Sequence, residues 1–433
     1  MQNSDAFVNW FRDSSPYIHA HRNRTFVIYF GGEAIQDESL HNLIHDFALL
    51  NSLGIRLVLV HGIRPQIDQR LEKLNVQPQF HQQLRITDKI ALQCVKESAG
   101  LVRVEIESQF SLGVAMSARK IGVISGNFVT AQPLGVLDGI DYQHTGKVRR
   151  IDNSAIDQQL DLGHVVLISP VGYSPSGELF NLSAEQLATE IAIALQAEKL
   201  ILMTEQSCQS TESGHIAQMT SAETQYLCDH ETLLASSTKC ALQSAIYGCQ
   251  SGVNRVHILN RHIDGALLIE LFSRDGIGTL ISSTEFEIIR PAVLSDIPGI
   301  LELITPLVQQ GLLIARSLEN LEININDYIV IDRDGMIIGC TALHKIEQSP
   351  AGLIACLAVH PDYRKAARGN QLLEQLLSKA KQESLMQLFA LSTQTMHWFK
   401  EREFQESNLQ ALPPALQKNY NQLRNAKVLI KNI

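Results

Sequence analysis

The chain has 433 residues, of which 45% are hydrophobic and 19% charged, the composition of a globular protein too long for one hydrophobic core. Its net charge of −9 argues against nucleic acid as a partner, because phosphate binding needs a basic surface. The first residues lack the basic start and apolar run of a signal peptide, and no stretch approaches the roughly 20 apolar residues of a membrane span. We therefore expect a cytoplasmic protein with no membrane contact.

The cysteines are seven in number and scattered, and none forms a C-x-x-C pair. They are Cys94, Cys208, Cys228, Cys240, Cys249, Cys340 and Cys356. This pattern predicts reduced thiols rather than a disulfide framework, and no metal site.

Strands and helices alternate through the first two thirds of the chain. Apolar runs predict buried strands at residues 26–30, 56–60, 165–168, 199–203 and 256–259. Gly31 and Gly32 follow the first run and precede a helical pattern, and Ser183 is placed to cap a later helix. The alternation predicts an α/β domain, an αβα sandwich whose mainly parallel sheet is covered on both faces.

The pattern changes near residue 284. A strand at 288–291, a hairpin at 328–340, a strand at 353–359 and a helix after Gly369 follow one another. These elements predict an α+β domain, so the expected domains are residues 1–284 and 285–433.

A strand that ends in Gly-Gly at a helix start presents backbone N–H groups to an anion, although alone this is a weak signal. The surrounding strings strengthen it, namely residues 26–35, 60–67, 84–88, 181–185 and 257–281. Together they resemble the amino-acid kinase family, acetylglutamate kinase in particular, over residues 16–281. Family kinases carry a lysine two residues before the Gly-Gly pair, and this chain has Tyr29 there. The resemblance therefore implies the kinase fold without kinase activity, since phosphoryl transfer depends on such charges.

The same resemblance implies an effector site for L-arginine. Arginine-sensitive members bind this amino acid through residues that match Tyr17, His257, Glu270 and Gly276. A carboxylate such as Glu270 pairs well with a guanidinium. The alternative is an ordinary surface glutamate and a strand histidine.

A basic turn follows the strand at 353–359 and opens a helix. Arg364, Ala367 and Gly369 occupy the signature positions of a loop that resembles the R/Q-x-x-G-x-G/A motif of the GCN5-related N-acetyltransferases (GNAT). Such a loop offers backbone amides to a pyrophosphate, and Arg364 and Arg368 add cationic donors. The resemblance implies that acetyl-CoA lies against residues of the strand and the loop, namely Cys356, Leu357, Val359, Arg364, Ala367, Arg368 and Gly369. The alternative is a plain basic turn before a helix.

The two domains in this order resemble the bacterial N-acetylglutamate synthase family over essentially the full length. The resemblance implies transfer of the acetyl group of acetyl-CoA to the α-amine of L-glutamate, without a metal. It also implies arginine regulation and a homo-oligomer, commonly a hexamer.

By the same resemblance, Arg316 and Arg424 bind the two carboxylates of glutamate, and Ser392 is the hydroxyl near the thioester. A strand-end hydroxyl bonded to backbone is an equal alternative for Ser392. The family's glutamate base is replaced by Leu353, which cannot accept a proton, so a water chain or Glu347 has to serve. Leu353 keeps a second hypothesis open, an arginine-sensing regulatory protein with impaired catalysis.

Overall fold

The computed structural model describes most of the chain, in two compact units of residues 1–284 and 285–433. The described residues are 2–37, 39–111, 121–210, 214–230, 235–273, 275–283, 287–333, 336–346, 349–364, 367–418, 420 and 424–433.

The first unit contains helices and strands in alternation. Its helices are α1 Gln2–His21, α2 Leu40–Ser52, α3 Arg64–Lys73, α4 Lys89–Ser111, α5 Asn153–Asp161, α6 Ala184–Ala194, α7 Ser221–His230, α8 Ser236–Gln250 and α9 Ala266–Phe272. Its strands are β1 Thr25–Phe30, β2 Arg56–His61, β3 Phe80–His81, β4 Leu84–Arg85, β5 Val123–Ile124, β6 Val129–Pro133, β7 Val136–Leu137, β8 Ile140–Asp141, β9 Gly146–Ile151, β10 Val165–Ile168, β11 Val171–Tyr173, β12 Leu179–Asn181, β13 Lys199–Thr204, β14 Gln209–Ser210, β15 Gly214–His215, β16 Gln218–Thr220, β17 Arg255–Asn260 and β18 Thr279–Ser282.

The main sheet of this unit has the strand order β16-β18-β17-β13-β1-β2-β10-β5, and its neighbours run parallel except β17 and β18. Helices α5, α6 and α8 pack on one face, and α2, α3, α4 and α9 pack on the other. Because both faces are covered, strands such as β1 and β13 are buried at every residue, which is why they are continuous apolar runs. The predicted αβα sandwich is confirmed.

The predicted cap of one helix is also present. The side chain of Ser183 accepts a hydrogen bond from the backbone N–H of Gln186, and α6 begins at the next residue, Ala184. A serine at this position pairs one of the N–H groups that a helix start leaves without an internal partner.

The second unit has one mixed sheet with helices on both faces. Its helices are α10 Ile297–Gln309, α11 Leu318–Ile323, α12 Arg368–Gln382, α13 Met396–Lys400 and α14 Pro414–Lys418. Its strands are β19 Glu287–Pro291, β20 Tyr328–Arg333, β21 Met336–Lys345, β22 Ala351–Val359, β23 Gln387–Ser392, β24 Gln405–Ser407 and β25 Lys427–Asn432.

The order of these strands is β19-β20-β21-β22-β23-β25-β24, and within the described residues β22 and β23 are the neighbours that run parallel. Alternate side chains separate the two faces. Tyr328, Val330 and Ala342 pack with α10, whereas Ile329 and Ile331 pack with α12. The predicted α+β domain is confirmed. None of the helices in the described ranges combines the length and hydropathy that a membrane crossing requires.

Candidate active site and effector site

Strands β22 and β23 separate partway along their length. They pair from Ala351 opposite Gln387 to Ile354 opposite Ala390, and within the described residues their pairing ends there, although β22 continues to Val359. The edge of β22 that faces β23 beyond Ile354 therefore presents backbone groups without a strand partner. An extended ligand with amide groups can bind such an edge as an added strand. We call this opening the fork.

A β-bulge lies in β22 immediately beyond the fork. Ala342 pairs with Ala355 and Cys340 with Ala358, so Thr341 alone faces both Cys356 and Leu357. Cys356 has a left-handed backbone with φ of 55°, which is unusual for a residue other than glycine. The bulge turns Cys356 toward α10, while Leu357 and Val359 lie on the α12 side, partly buried.

The start of α12 supplies the loop predicted for the cofactor. The helix begins at Arg368, two residues before the predicted start, because Ala367 adopts a left-handed conformation with φ of 53° and its carbonyl accepts from the N–H of Asn370. The N–H groups of Arg368 and Gly369 lie in the first turn, where a helix has no internal acceptors. A Cβ on Gly369 would lie 3.2 Å from Trp398 Cζ2, so a larger residue would be crowded there.

The two arginines predicted to add positive charge have different surroundings. Arg364 is exposed, and its Nε donates to the carbonyl of Val359 at 3.4 Å. Arg368 is bound on both sides, because its guanidinium forms a bidentate pair with Glu287 and donates to the carbonyl of Tyr363. A carboxylate 81 residues earlier in the chain therefore pairs with the Arg368 side chain, and its role as a phosphate donor stays a prediction. Its backbone N–H keeps the predicted place.

The thiol of Cys356 lies in a cluster on the α10 side of the sheet. The adjacent Cys340 thiol lowers the pKa of Cys356, as do the Arg316 guanidinium and the Tyr328 hydroxyl, against the opposing effect of burial. Tyr328 is fully buried, and burial raises the pKa of its hydroxyl well above the ordinary value. Within the described residues, Arg316 Nε is buried without a hydrogen-bond partner. Such an orphan donor fits a site that receives an anionic ligand.

Arg316 and Arg424 meet at one segment of the chain. Arg316 lies between α10 and α11, and Arg424 donates from Nη2 to the carbonyl of Leu312, four residues before Arg316. The fold therefore brings two guanidinium groups that are far apart in sequence to the loop that follows α10. A pair of guanidinium groups suits a ligand with two carboxylates.

Ser392 lies at the end of β23, and its side chain is bonded within its own turn. Its Oγ accepts from the N–H of Thr395 at 2.9 Å and shares a hydrogen bond with Thr395 Oγ1 at 2.7 Å. Both atoms of this contact lie beside α13, which begins at Met396. The structure thus shows the backbone-bonded arrangement that was the alternative for Ser392, and its catalytic role stays a prediction.

Leu353 lies at the base of the fork, paired with Phe389 on β23 and with His344 on β21. Glu347, the substitute base considered from the sequence, lies outside the described residues.

His344 was missed by sequence reasoning. Its Nδ1 is 2.7 Å from Oδ2 of Asp327. The available signal was a histidine at the end of the apolar run of β21.

The predicted effector residues converge in the first unit. His257 Nδ1 is 2.6 Å from Glu270 Oε1, and Glu270 Oε2 accepts from the N–H groups of Ile277 and Gly278 at 2.8 Å each. Gly276 has φ of 60°, and a Cβ there would lie 2.4 Å from Glu270 Oε2. Glycine is thus required, because the loop folds closely over this carboxylate.

Tyr17 reaches the same region through α1. Its ring lies 6.5 Å from that of His21, and His21 Nε2 is 2.9 Å from the carbonyl of Leu271, next to Glu270. Ser14 also donates to the carbonyl of Phe272, so α1 is bound to the end of α9. Tyr17 therefore lies on a helix that packs against the end of α9, the helix that carries Glu270.

Lys199, which the sequence did not single out, completes this cluster. Its Nζ is 3.3 Å from His257 Nε2, and burial lowers its pKa to about 8. Burial and Lys199 lower the pKa of His257 to about 4. Burial opposes ionisation of Glu270, but hydrogen bonds from His257 and the backbone lower its pKa to about 2. At neutral pH a neutral imidazole therefore links a buried cation to a buried anion.

A cavity of about 790 Å³ lies at the carboxyl ends of β1, β2 and β13. Gly31, Gly32 and Arg64 line it, in keeping with the predicted anion-binding turn. Tyr29 lies in its wall, and its hydroxyl donates to Glu185 Oε1 at 2.8 Å. The aromatic side chain thus occupies the position of the kinase lysine and contributes no positive charge.

The described residues contain no disulfide bond and no group of side chains suited to bind a metal ion. All seven cysteines are free thiols, and six of them are buried. Across the described parts of the chain, no three His, Cys, Asp or Glu side chains are grouped so as to hold a metal ion.

The fold and the site together define an N-acetyltransferase of the GNAT type joined to an amino-acid kinase fold. Residues 24–260 match the amino acid kinase family, and residues 301–404 match the acetyltransferase (GNAT) family. The chain is 47% identical over 430 residues to the amino-acid acetyltransferase of Pseudomonas fluorescens strain SBW25, covering 98% of this chain and 99% of that protein. It is 48% identical over 429 residues to the amino-acid acetyltransferase of Azotobacter vinelandii, with the same coverage of each.

A solved structure is similar over the same length. The N-acetylglutamate synthase of Neisseria gonorrhoeae, complexed with coenzyme A and L-arginine, is 38% identical with a TM-score of 0.91, covering 99% of both chains. A second structure of that protein, complexed with coenzyme A and N-acetyl-glutamate, has a TM-score of 0.64 at the same identity, covering 98% of this chain and 99% of that one. The chain belongs to the amino-acid acetyltransferase family, the N-acetylglutamate synthases, and is an acyltransferase enzyme, which confirms the family and activity predicted from the sequence.

Proposed function

We propose that this chain transfers the acetyl group of acetyl-CoA to the α-amine of L-glutamate, the first step of arginine biosynthesis, and that L-arginine regulates it. The observation that carries the proposal is the fork between β22 and β23, with the start of α12 on one face of the sheet and two guanidinium groups at the loop after α10. A cofactor edge and a dicarboxylate site are what this reaction requires.

Acetyl-CoA fits the fork and the start of α12. Its pantetheine amides can pair with the open edge of β22 beyond Ile354, next to Leu357 and Val359. Its pyrophosphate can accept from the N–H groups of Arg368 and Gly369, where the helix dipole favours negative charge. Arg364 is exposed and supplies a positive charge nearby.

Glutamate fits the α10 side of the same sheet. Arg316 and Arg424 pair its two carboxylates, which directs the α-amine toward the fork. Cys356 lies at the bulge and lines the thioester site. The amine attacks the thioester directly in a ternary complex, and the departing thiolate receives a proton, for which Ser392 is the candidate donor.

L-arginine is assigned to the cluster around Glu270. Both oxygens of this carboxylate already accept hydrogen bonds, so an arriving guanidinium has to share Glu270 with His257 or replace that contact. Such a rearrangement would change α9 and the loop at Gly276, which is the differential contact that allosteric regulation needs. Calorimetry on Glu270→Gln should show weakened arginine binding with unchanged affinity for coenzyme A. Equal arginine affinity in the variant and the wild type would remove Glu270 from the effector site.

A second candidate function is favoured by Leu353, namely an arginine-sensing protein whose catalysis is impaired. One pair of assays separates the candidates, thiol release from acetyl-CoA with glutamate and ATP consumption with N-acetylglutamate. Glutamate-dependent thiol release without a metal supports the synthase. Thiol release that is absent, while arginine still binds, supports the sensor.

Assembly and location complete the proposal. A homo-oligomer, commonly a hexamer in this family, and a cytoplasmic location fit a biosynthetic enzyme of this kind. Analytical ultracentrifugation with and without L-arginine tests the assembly, and a monomer in both conditions would contradict it.

A further inference from the structure

His344, the residue opposite Leu353 on the neighbouring strand, has a side chain that can accept a proton, which leucine cannot do. Leu353 pairs directly with His344 across β21 and β22, so both side chains lie on one face of the sheet with Cβ atoms about 5 Å apart. Leu353 is also one residue before the last pair of β22 with β23, at the base of the fork. His344 is therefore about one strand spacing from the fork.

Asp327 holds the imidazole of His344 in one orientation. Its Oδ2 is 2.7 Å from Nδ1, and the two side chains are 37% and 22% exposed. A carboxylate at Nδ1 keeps the ring proton there and leaves Nε2 as the acceptor. Within the described residues, Nε2 of His344 has no hydrogen-bond partner. The pair therefore presents a basic nitrogen that is partly shielded yet open to a ligand.

The face on which His344 lies is the proposed glutamate face. Its ring lies 6.2 Å from that of Tyr328 in an edge arrangement, and the Arg316 guanidinium acts on both Tyr328 and Cys356. The other ionisable groups in this cluster suit the task less well. Burial raises the pKa of Tyr328, and a Cys356 thiolate would be acylated rather than act as a base.

We propose that His344, oriented by Asp327, is the general base that replaces the carboxylate missing at position 353; this inference rests on the proposed function. Nε2 takes one proton from the α-ammonium of glutamate, and the freed nitrogen lone pair forms the N–C bond with the thioester carbon. The C–S bond breaks, and the coenzyme A thiolate takes a proton from Ser392, which is replenished by the second proton lost by nitrogen. The imidazolium releases its proton to water.

Two substitutions test this assignment, with a matched control. His344→Gln keeps the size of the side chain but removes the basic nitrogen, and Asp327→Asn removes the orienting charge. The control is His262→Gln in the first unit, which breaks a comparable histidine–carboxylate contact of 2.9 Å with Glu205. We expect His344→Gln to lower kcat about 100-fold or more, the usual contribution of a positioned base, with KM for both substrates changed less than about 3-fold. Asp327→Asn should lower kcat about 10-fold, and the control should leave it unchanged.

Rescue distinguishes a lost base from a damaged site. Leu353→Glu in the His344→Gln background restores a carboxylate beside the vacated position, so kcat should recover at least about 10-fold. The same substitution in the wild type should add little, because a base is already present. Full activity of a folded His344→Gln variant, or no recovery in the double variant, overturns the assignment.

Two further results keep the test decisive. If His344→Gln does not fold, Asp327→Asn decides, and an unchanged kcat in that variant overturns the assignment. If the wild type releases no thiol with glutamate, the proposed function itself fails. If the wild type and the His344→Gln variant are both active, the proposed function is supported and only the assignment of His344 as the general base is contradicted.

Discussion

At the scale of the residue, Tyr29 lies in the wall of the cavity of the first unit, bonded to Glu185. Its neutral phenol cannot stabilise a transferred phosphoryl group, so ATP should not be a substrate. Incubation with ATP and N-acetylglutamate should yield ADP at the rate of a blank without enzyme. Measurable N-acetylglutamyl phosphate, trapped with hydroxylamine, would contradict this expectation.

Gly276 has two separate reasons to be glycine, and a matched pair of variants separates them. Gly177 also has a left-handed backbone, with φ of 87°, but a Cβ there would meet no atom within 4 Å. Gly177→Ala should therefore lower the free energy of unfolding by about 1–2 kcal/mol, the strain of the backbone alone. Gly276→Ala should lower it further and weaken arginine binding, because its Cβ displaces Glu270. Urea unfolding measures the free energy of unfolding of each variant, and calorimetry measures its arginine affinity. Equal losses of stability in the two variants would show that the close approach to Glu270 is unimportant.

Single residues show where sequence reasoning stops. Motif resemblance indicates Tyr17, His257, Glu270 and Gly276, and the fold brings the last three together. Tyr17 lies near His21, on a helix that packs against α9. Lys199 was not found, because a lysine at the start of a strand is usually exposed and only burial reveals its bond to His257. The partner of Arg368, Glu287, follows from a contact between distant segments that no local pattern encodes.

At the scale of the element, the start of α12 carries a strain that the family glycine would relieve. Ala367 has φ of 53°, which costs a residue with a Cβ about 1–2 kcal/mol. Ala367→Gly should raise the free energy of unfolding by about 0.5–1 kcal/mol after its entropic cost. The control is Gln375→Gly at an exposed position within α12, which should lower it by about 0.5–1 kcal/mol. A destabilised Ala367→Gly, measured by urea unfolding, would contradict this account.

Element types could be predicted, whereas register could not. The buried strands of the first unit were visible as apolar runs because helices cover both faces. The fork and the bulge at Cys356 depend on where β22 stops pairing with β23 and shifts against β21. Pairing of this kind is decided by contacts across the sheet, which is why His344 opposite Leu353 was not foreseen.

At the scale of the whole molecule, acid should destabilise the first unit before the second. Burial lowers the pKa values of His21, His61 and His257 to about 4, against an ordinary value of 6.5. Between these values the unfolded chain binds more protons than the folded one, so this stability is complete above pH 6.5 and is lost as pH falls toward 4. In the second unit, burial opposes ionisation of Glu287, but hydrogen bonds from arginines lower its pKa, and such bonds also lower the pKa of Asp296 against the effect of burial. Their contributions to stability are lost only below their ordinary pKa values of 4.5 and 3.8.

Calorimetric scans at pH 7, 6 and 5 measure this difference. The unfolding transition of the first unit is the one whose temperature L-arginine increases, and it should move to lower temperature from pH 7 to pH 5. The unfolding transition of the second unit, whose temperature coenzyme A increases, should move less. Equal displacement of both transitions over this range would contradict the assignment of acid sensitivity to the three histidines.

The fork has a consequence for the supply of active enzyme. If acetyl-CoA binds in the fork as proposed, the sheet of the second unit is complete only when this substrate is bound. The free energy of unfolding therefore rises with the concentration of acetyl-CoA, by mass action. A ligand present at 100 times its Kd adds about 2.7 kcal/mol to the free energy of unfolding. A carbon-starved cell would then lose the enzyme to proteolysis as well as lose its turnover, and metabolite abundance would govern the lifetime of the catalyst.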